Sequence, residues 1–319
     1  MKKILVTALG TVASYEIVKE MKRKGYYVIG ADINLSQNLA SSLEVDEFYT
    51  FPSVIEKRKE YLDYILDFCE KKQIDYIFVV VDEEVELISK NKNLFLSKGI
   101  IPCVLDYRIV KLCRDKEETF NWIKEFFPDM YIRTKNLSDK NIDLNYPMFL
   151  KPRKGRASIG CKKINNFEEL ENIKKEVKVE DYIIQEFKEG EIVSADILSD
   201  NDLIQIVLRK ETLRNSNGAA IAVEIIDDID LKEKCKKIVK KLNLIGTINI
   251  EFFRTRENVY IIEFNPRLPA GTGYTIRSGL NLVEGLFDIN CGNKVKKYDI
   301  ACNKTYARRY EIYDTTIKK

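Results

Sequence analysis

The sequence predicts an α/β chain that opens with a doubly wound parallel sheet and continues as an α+β fold of two subdomains. Three observations carry this prediction. Strands and helices alternate through about residue 112; from Lys116 the pattern turns to mixed elements around a basic, glycine-containing loop; and two apolar strands separated by a short polar turn occupy 247–265. At 319 residues the chain is long enough for two or three domains.

Residues 3–7 are a short apolar strand, 14–24 an amphipathic helix and 27–32 a second apolar strand, the start of a βαβ unit. Two more helix–strand pairs follow, 57–71 into 76–81 and 84–98 into 101–104. The second region reads as a helix at 117–126, a strand at 147–151, a helix at 167–175 and a strand at 182–187. The third has strands at 191–198 and 203–208, a helix at 231–241, the strands 247–253 and 259–265, and a helix at 280–287. The expected domains are 1–112, 113–189 and 190–319.

Composition narrows the chemistry. The 53 basic and 50 acidic residues leave a formal charge of +3, so no global field draws the chain to nucleic acid or membrane. The apolar run after the first lysines is too short for a signal peptide and no later stretch would span a bilayer, so a cytoplasmic location is expected. Seven cysteines stand singly, without a CxxC pair, and read as reduced structural thiols. Histidine is absent, which excludes Ser-His-Asp and Cys-His catalysis. Carboxylates, lysines, arginines, backbone amides and a hard cation remain.

The first glycine segment, Ala8 to Ala13 around Gly10, approaches a dinucleotide fingerprint, with Asp32 ending the next strand. Ala8 replaces the first glycine of that pattern. A packing turn around Gly10 and a turn-starting role for Asp32 are equally open. The second segment is stronger. Lys151 ends an apolar strand before Pro152, and Arg153, Gly155, Ser158 and Gly160 supply cations and small residues that let backbone N–H groups approach a polyphosphate; a basic surface hairpin is the plain alternative. Gln185, Glu186 and Phe187 then end a strand where backbone groups can read an adenine between apolar walls, and Glu191 can accept ribose hydroxyls.

The last pair of strands carries Glu251, Glu263 and Asn265. If Arg256 centres the turn, the odd-numbered residues share a face and Glu251 and Glu263 become diagonal neighbours about 7–8 Å apart. Two carboxylates converging on a half-buried face call for a compensating cation, and magnesium, which takes one or two carboxylates and completes its shell with phosphate and water, fits. Pro266 ends the strand and lets Arg267 reach a phosphate or carboxylate. Beyond it, 268–274 read as a small, flexible loop leading to Arg277, a candidate for an acceptor carboxylate. Arg209, Lys210 and Arg214 lie around another strand end, as phosphate clamps or as surface charge.

Taken in order, Asp115-Lys116, the Lys151–Gly160 loop, Gln185-Glu186-Phe187, Asn249 to Phe252 and Glu263 to Arg267 resemble the ATP-grasp superfamily. The resemblance is nearest to its carbamoyl-phosphate-synthase large-subunit-like branch, with a pre-ATP-grasp N-terminal domain. It covers nearly the whole chain and implies ATP held between two α+β subdomains. It places Lys116 and Lys151 on the phosphate and adenine side, Glu251, Glu263 and Asn265 on Mg2+ (or Mn2+), and Arg267 near the transferred phosphate. In the family pattern the ribose acid stands where this chain has Ile192. The activity implied is an ADP-forming ligase that activates a small-molecule carboxylate as an acyl phosphate for attack by an amine or other nucleophile. Alternatives are a carboxylate or carbamate kinase or carboxylase, and, from another class, a non-catalytic nucleotide- or dinucleotide-binding protein. Small molecules, and at most a second copy in a homodimer, are the expected partners.

Overall fold

The computed structural model describes residues 1–155, 158–201, 203–215 and 219–316. Its first layer is a five-stranded parallel sheet in the order β3-β2-β1-β4-β5, built from β1 (Lys3–Val6), β2 (Tyr27–Asp32), β3 (Glu47–Thr50), β4 (Tyr76–Phe78) and β5 (Ile101–Pro102). Ile4, Leu5 and Val6 are all buried, as expected of a parallel strand covered on both faces. The covering helices are α1 (Val12–Arg23), α2 (Arg58–Lys72), α3 (Asp82–Lys90), the short α4 (Lys92–Leu96) and α5 (Tyr107–Arg114). The order reverses between β1 and β4, so the crevice at the carboxyl ends of these strands is where an open α/β sheet receives ligands.

The expected 84–98 helix is broken at Asn91, and the strand 76–81 stops at Phe78, because Asp82 already begins α3. The edge strand β3 was not expected: its residues Glu47 to Tyr49 are only half-buried and lack an apolar run. The helix α5 was also not expected; it is short, and Asp106 caps it by accepting from the Arg108 N–H.

Next comes α6 (Lys116–Phe126), followed by an antiparallel four-stranded sheet, β6-β9-β7-β8, made of β6 (Thr134–Asn136), β7 (Met148–Pro152), β8 (Lys162–Ile164) and β9 (Tyr182–Glu186). One face carries α7 (Phe167–Glu176). Leu137, Met148, Leu150, Ile164, Leu170 and Ile184 form a small core of their own, whereas Phe120 and Ile123 of α6 join the large core of the chain.

The third sheet is antiparallel, in the order β14-β13-β10-β11-β12-β15. Its strands are β10 (Glu191–Asp200), β11 (Leu203–Arg214), β12 (Ala220–Ile226), β13 (Gly246–Arg254), β14 (Val259–Asn265) and β15 (Lys304–Ala307). The helix α8 (Ile229–Leu242) buries Leu231, Cys235, Ile238, Val239 and Leu242, one stripe at helical spacing, and Asp228 caps it through the Leu231 N–H. Alternation along the central strands divides the sheet by chemistry. Val193, Ala195, Ile197, Ile248, Ile250 and Phe252 enter the core, while the intervening Ser194, Asp196, Asn249 and Glu251 are polar. The chain then forms α9 (Thr272–Arg277) and α10 (Leu282–Asn290) against α1. The expected flexible loop at 268–274 is thus partly helical, and Thr272 and Gly273 are buried.

Candidate active site

A cleft between the second and third sheets gathers most of the expected residues. Lys116, Lys151, Gly155, Ser158, Gln185, Glu186, Phe187, Glu251 and Glu263 all line it. Lys116, Lys151 and Glu186 stand at or near element ends, whereas Glu251 and Glu263 lie within strands. Lys116 is the first residue of α6, whose cap Asp115 accepts from the Glu117 N–H at 3.0 Å. Lys151 stands near the end of β7 and is 7% exposed, with its Nζ 5.8 Å from the Phe120 ring centre and 5.6 Å from that of Phe149. Burial pushes its ammonium down to about 8, opposed by Glu263 and reinforced by Lys116. A buried cation without an ion pair among the described residues is suited to an incoming polyphosphate.

Apolar residues form the side of the cleft expected to take an adenine. Phe149 and Phe187 lie 6.2 Å apart in a tilted pair, and Ile132, Ile192, Phe253 and Ile262 complete the wall. The strand β9 ends at Glu186, so the backbone of Phe187 and Lys188 leaves the ladder beside this slot. Gln185 is buried and donates through Nε2 to Thr134 Oγ1 at 2.7 Å, and Glu186 holds Lys188 at 3.1 Å. In the glycine loop Ser158 has φ 56° and Gly160 φ 77°; a Cβ on Gly160 would come within 2.9 Å of Pro152. Arg156 and Ala157 lie outside the described residues.

The acids meet more closely than the turn arithmetic allows. The hairpin centre lies past Arg256, with Arg254 opposite Val259, and a β-bulge then intervenes between the Glu251 and Phe252 pairs. Glu251 therefore faces Glu263 directly and Asn249 faces Asn265; the diagonal register is corrected. The extra residue is Ile262, which joins Glu263 in the cavity wall. Lys116 Nζ neutralises Glu263 at 2.9 Å. The nearest ion-pair partner of Glu251 is Arg214, at 3.9 Å, and Arg214 is nearer to Glu211, at 2.7 Å. Burial, then Glu263 and Glu211, push the Glu251 carboxyl up to about 7.

Asp196 anchors the third donor. Its Oδ1 accepts from Asn249 Nδ2 at 2.7 Å, and Asn249 Oδ1 accepts from Asn265 Nδ2 at 3.1 Å, so the Asn265 carbonyl oxygen is the end left for a ligand. Among the described residues no three Asp, Glu, Cys or His side chains gather into a metal cage. Two opposed carboxylates, one of them no nearer than 3.9 Å to a cation among the described residues, and an oriented amide oxygen are a partial donor set that suits a magnesium ion shared with phosphate.

Four expected residues are placed elsewhere. Arg153 turns away from the cleft and pairs with Asp115 and Glu117, both at 2.7 Å, where it fastens the start of α6. Glu191 is engaged by Lys210 on the neighbouring strand and is largely exposed; Ile192, one residue on, faces the cleft. Strand alternation decides this. Arg267 is bound side-on to Asp82, Nε to Oδ1 at 2.7 Å and Nη2 to Oδ2 at 3.3 Å. Arg277 faces α1, pairing with Glu16 at 3.1 Å, and lines a separate cavity with Tyr15 and Tyr313. Of the three further basic residues, only Arg214 reaches the cleft; Arg209 is buried on Asp196 and Lys210 holds Glu191.

At the edge of the parallel sheet Asp32 accepts from the Gly10 N–H and from the Asn34 backbone, each at 2.9 Å, so it ties two turns together. Nearby Glu84 is buried, accepts from Thr7 Oγ1 and Tyr61 Oη, and is pushed up to about 7 chiefly by burial. Sequence reasoning missed Asp82 and Glu84. Their signal was present: acids directly after an apolar strand in a parallel sheet.

Comparison with known proteins supplies the context. Residues 113–271 match a family model described as an ATP-grasp domain, and residues 4–104 one described as a PylC-like N-terminal domain. The 3-methyl-D-ornithine–L-lysine ligase of Methanosarcina acetivorans is 27% identical over 288 residues, which cover 87% of this chain and 71% of the ligase. The arginine-specific carbamoyl phosphate synthase large chain of Geobacillus stearothermophilus is 20% identical over 292 residues, covering 83% of this chain and 27% of the synthase. Among solved structures, the biotin carboxylase domain of Hydrogenobacter thermophilus 2-oxoglutarate carboxylase, crystallised with MgADP and bicarbonate, superposes with a TM-score of 0.79 at 18% identity. That superposition covers 95% of this chain and 73% of the domain, and it speaks to the fold. The chain belongs to the ATP-grasp superfamily, in its carbamoyl-phosphate-synthase-like branch, with a PylC-like N-terminal domain preceding the ATP-grasp domain.

Proposed function

We propose that this ATP-grasp chain is an ADP-forming carbon–nitrogen ligase that activates the carboxylate of one small substrate, of the amino-acid class, for attack by the amine of another. The observation that carries the reading is the facing pair Glu251 and Glu263 in one cleft with Lys116 and the buried Lys151. The amino-acid class is supported by the ligase from Methanosarcina acetivorans. Residues 1–112 would then shape the substrate crevice, 113–189 the cover over the nucleotide and 190–319 the metal face.

Glu251, Glu263 and Asn265 would hold Mg2+, and Mn2+ should substitute for it; bound there, the ion neutralises the acids and screens the polyphosphate. Lys116 and Lys151 draw the phosphates in, and the apolar walls at Phe149, Phe187 and Ile192 take the base. A substrate carboxylate oxygen attacks the terminal phosphorus, the bond to the bridging oxygen breaks and ADP leaves. The amine then attacks the acyl carbon and displaces phosphate. Charge placement carries such a reaction, and a histidine-free site can supply it.

Thermal unfolding tests the site. Mg-ATP should raise the midpoint of the wild type by several degrees and leave Glu263→Ala unmoved. Stabilisation by NAD but not by Mg-ATP would refute the reading.

A further inference from the structure

Asp82 occupies an unusual electrostatic position. It is the first residue of α3, four residues past the carboxyl end of β4, and is 5% exposed. Arg267, two residues past Asn265 and 185 residues along the chain, pairs with it at 2.7 and 3.3 Å. Arg114 stands 3.8 Å from the same carboxylate and also reaches Glu83 at 3.2 Å and Glu86 at 3.7 Å. Lys116 lies within its field as well. One buried carboxylate thus sits among three cations, two of which border the metal acids.

The manner of pairing matters. Arg267 commits Nε and Nη2 to Asp82, and its Nη1 has no hydrogen bond or ion pair among the described residues. A guanidinium is a rigid planar fork, so fixing one edge fixes the direction of the other. Glu263 and Glu251 act electrostatically on this arginine, which places it beside the acids that would face the phosphates. Without Asp82 the arginine would be free to collapse onto Glu263, whose close cation among the described residues is Lys116.

From this geometry we infer that Asp82 is a positioning residue, an N-terminal-domain carboxylate that holds the Arg267 guanidinium edge-on so that its free edge meets the terminal phosphate of ATP. The inference rests on the nucleotide-binding part of the proposed function, not on the identity of the acid or amine. It makes the N-terminal domain a contributor to phosphate recognition, although no residue of that domain lines the nucleotide cleft.

Calorimetric titration tests it with two probes, Mg-ADP and the Mg complex of a non-hydrolysable ATP analogue. The quantity read is the ratio of the two affinities. In Asp82→Asn the analogue should weaken by about tenfold while ADP stays within about twofold. Arg267→Ala should lose the same ratio, and the double variant should lose no more than either single one. Asp82→Glu should recover part of it, and if the asparagine variant does not fold, a smaller loss of the ratio in the glutamate variant, absent on top of Arg267→Ala, gives the reading. A lowered melting temperature with an unchanged ratio would mean that Asp82 only fastens the domains, and the inference would fall. Additive losses in the double variant would overturn it too. A wild type that fails to prefer the analogue over ADP would sink both this inference and the nucleotide reading. Normal discrimination without ADP formation on any acid and amine would count against the ligase reading alone.

Discussion

Lys151 and Glu251 share one cleft, and burial drives both toward neutrality, the ammonium down to about 8 and the carboxyl up to about 7. For Lys151 the consequence has a definite sign. Bound phosphate favours the charged form, so binding above pH 8 must take up a proton, and Mg-ADP affinity should fall as pH rises from 8 toward 9.5. In Lys151→Arg, which stays charged throughout, that alkaline loss should disappear; an equal loss in both proteins, measured by titration calorimetry, would refute the assignment. At this scale much of the site was legible. Lysine before proline, small residues in a basic loop and paired acids on apolar strands are local patterns, and Lys116, Lys151, Gly155, Ser158, Glu251 and Glu263 do share a cleft. Arg153, Glu191, Arg267 and Arg277 were harder to read because a long side chain goes to whatever partner the fold brings near. Those partners, Asp115, Lys210, Asp82 and Glu16, include residues more than 180 positions away for two of the four.

At the scale of elements, the hairpin β13–β14 was visible in its apolar strands but its register was not. One extra residue, Ile262, makes the difference: a bulge costs nothing in sequence pattern and moves Glu263 from a diagonal to a facing position. Short or half-polar elements, β3 and β15 among them, gave no alternation to detect. The start of α6 is more informative. Asp115 caps the helix and holds Arg153 at 2.7 Å, while the next residue, Lys116, reaches Glu263. Asp115→Ala should therefore cost about 1 kcal/mol of stability as a lost cap and also weaken Mg-ADP binding, although Asp115 does not line the cleft. Denaturant unfolding and calorimetry on the same variant check both parts. Unchanged nucleotide affinity would show that Lys116 does not depend on its cap.

For the whole molecule, three sheets each present polar side chains from distant segments, the second and third of them around the cleft. The parallel sheet presents Asp82 and Glu84 at its carboxyl edge, the second sheet presents Lys151, and the third presents the facing acids. Buried side chains join the first and third sheets in two large clusters, whereas the second has a small core of its own, apart from Ile183 of β9, which enters the larger cluster. That division is what a cover over a nucleotide requires. No helix among the described residues is long and apolar enough to cross a membrane. The alternation of strands and helices foretold the parallel sheet and the two-part remainder, because periodicity reports which faces are buried. It does not report how sheets pack on one another, and the Asp82–Arg267 contact arises only from that packing.

An acyl phosphate formed from ATP and a substrate carboxylate leaves its trace in the phosphate released. Its most direct measurement is oxygen transfer: pooled amino acids labelled with 18O in the carboxylate are incubated with Mg-ATP and the enzyme, and the released phosphate is weighed by mass spectrometry. ADP should appear together with phosphate carrying one labelled oxygen per turnover, with no product from Glu263→Ala. AMP carrying the label alongside pyrophosphate, or phosphate without label, would contradict acyl-phosphate formation.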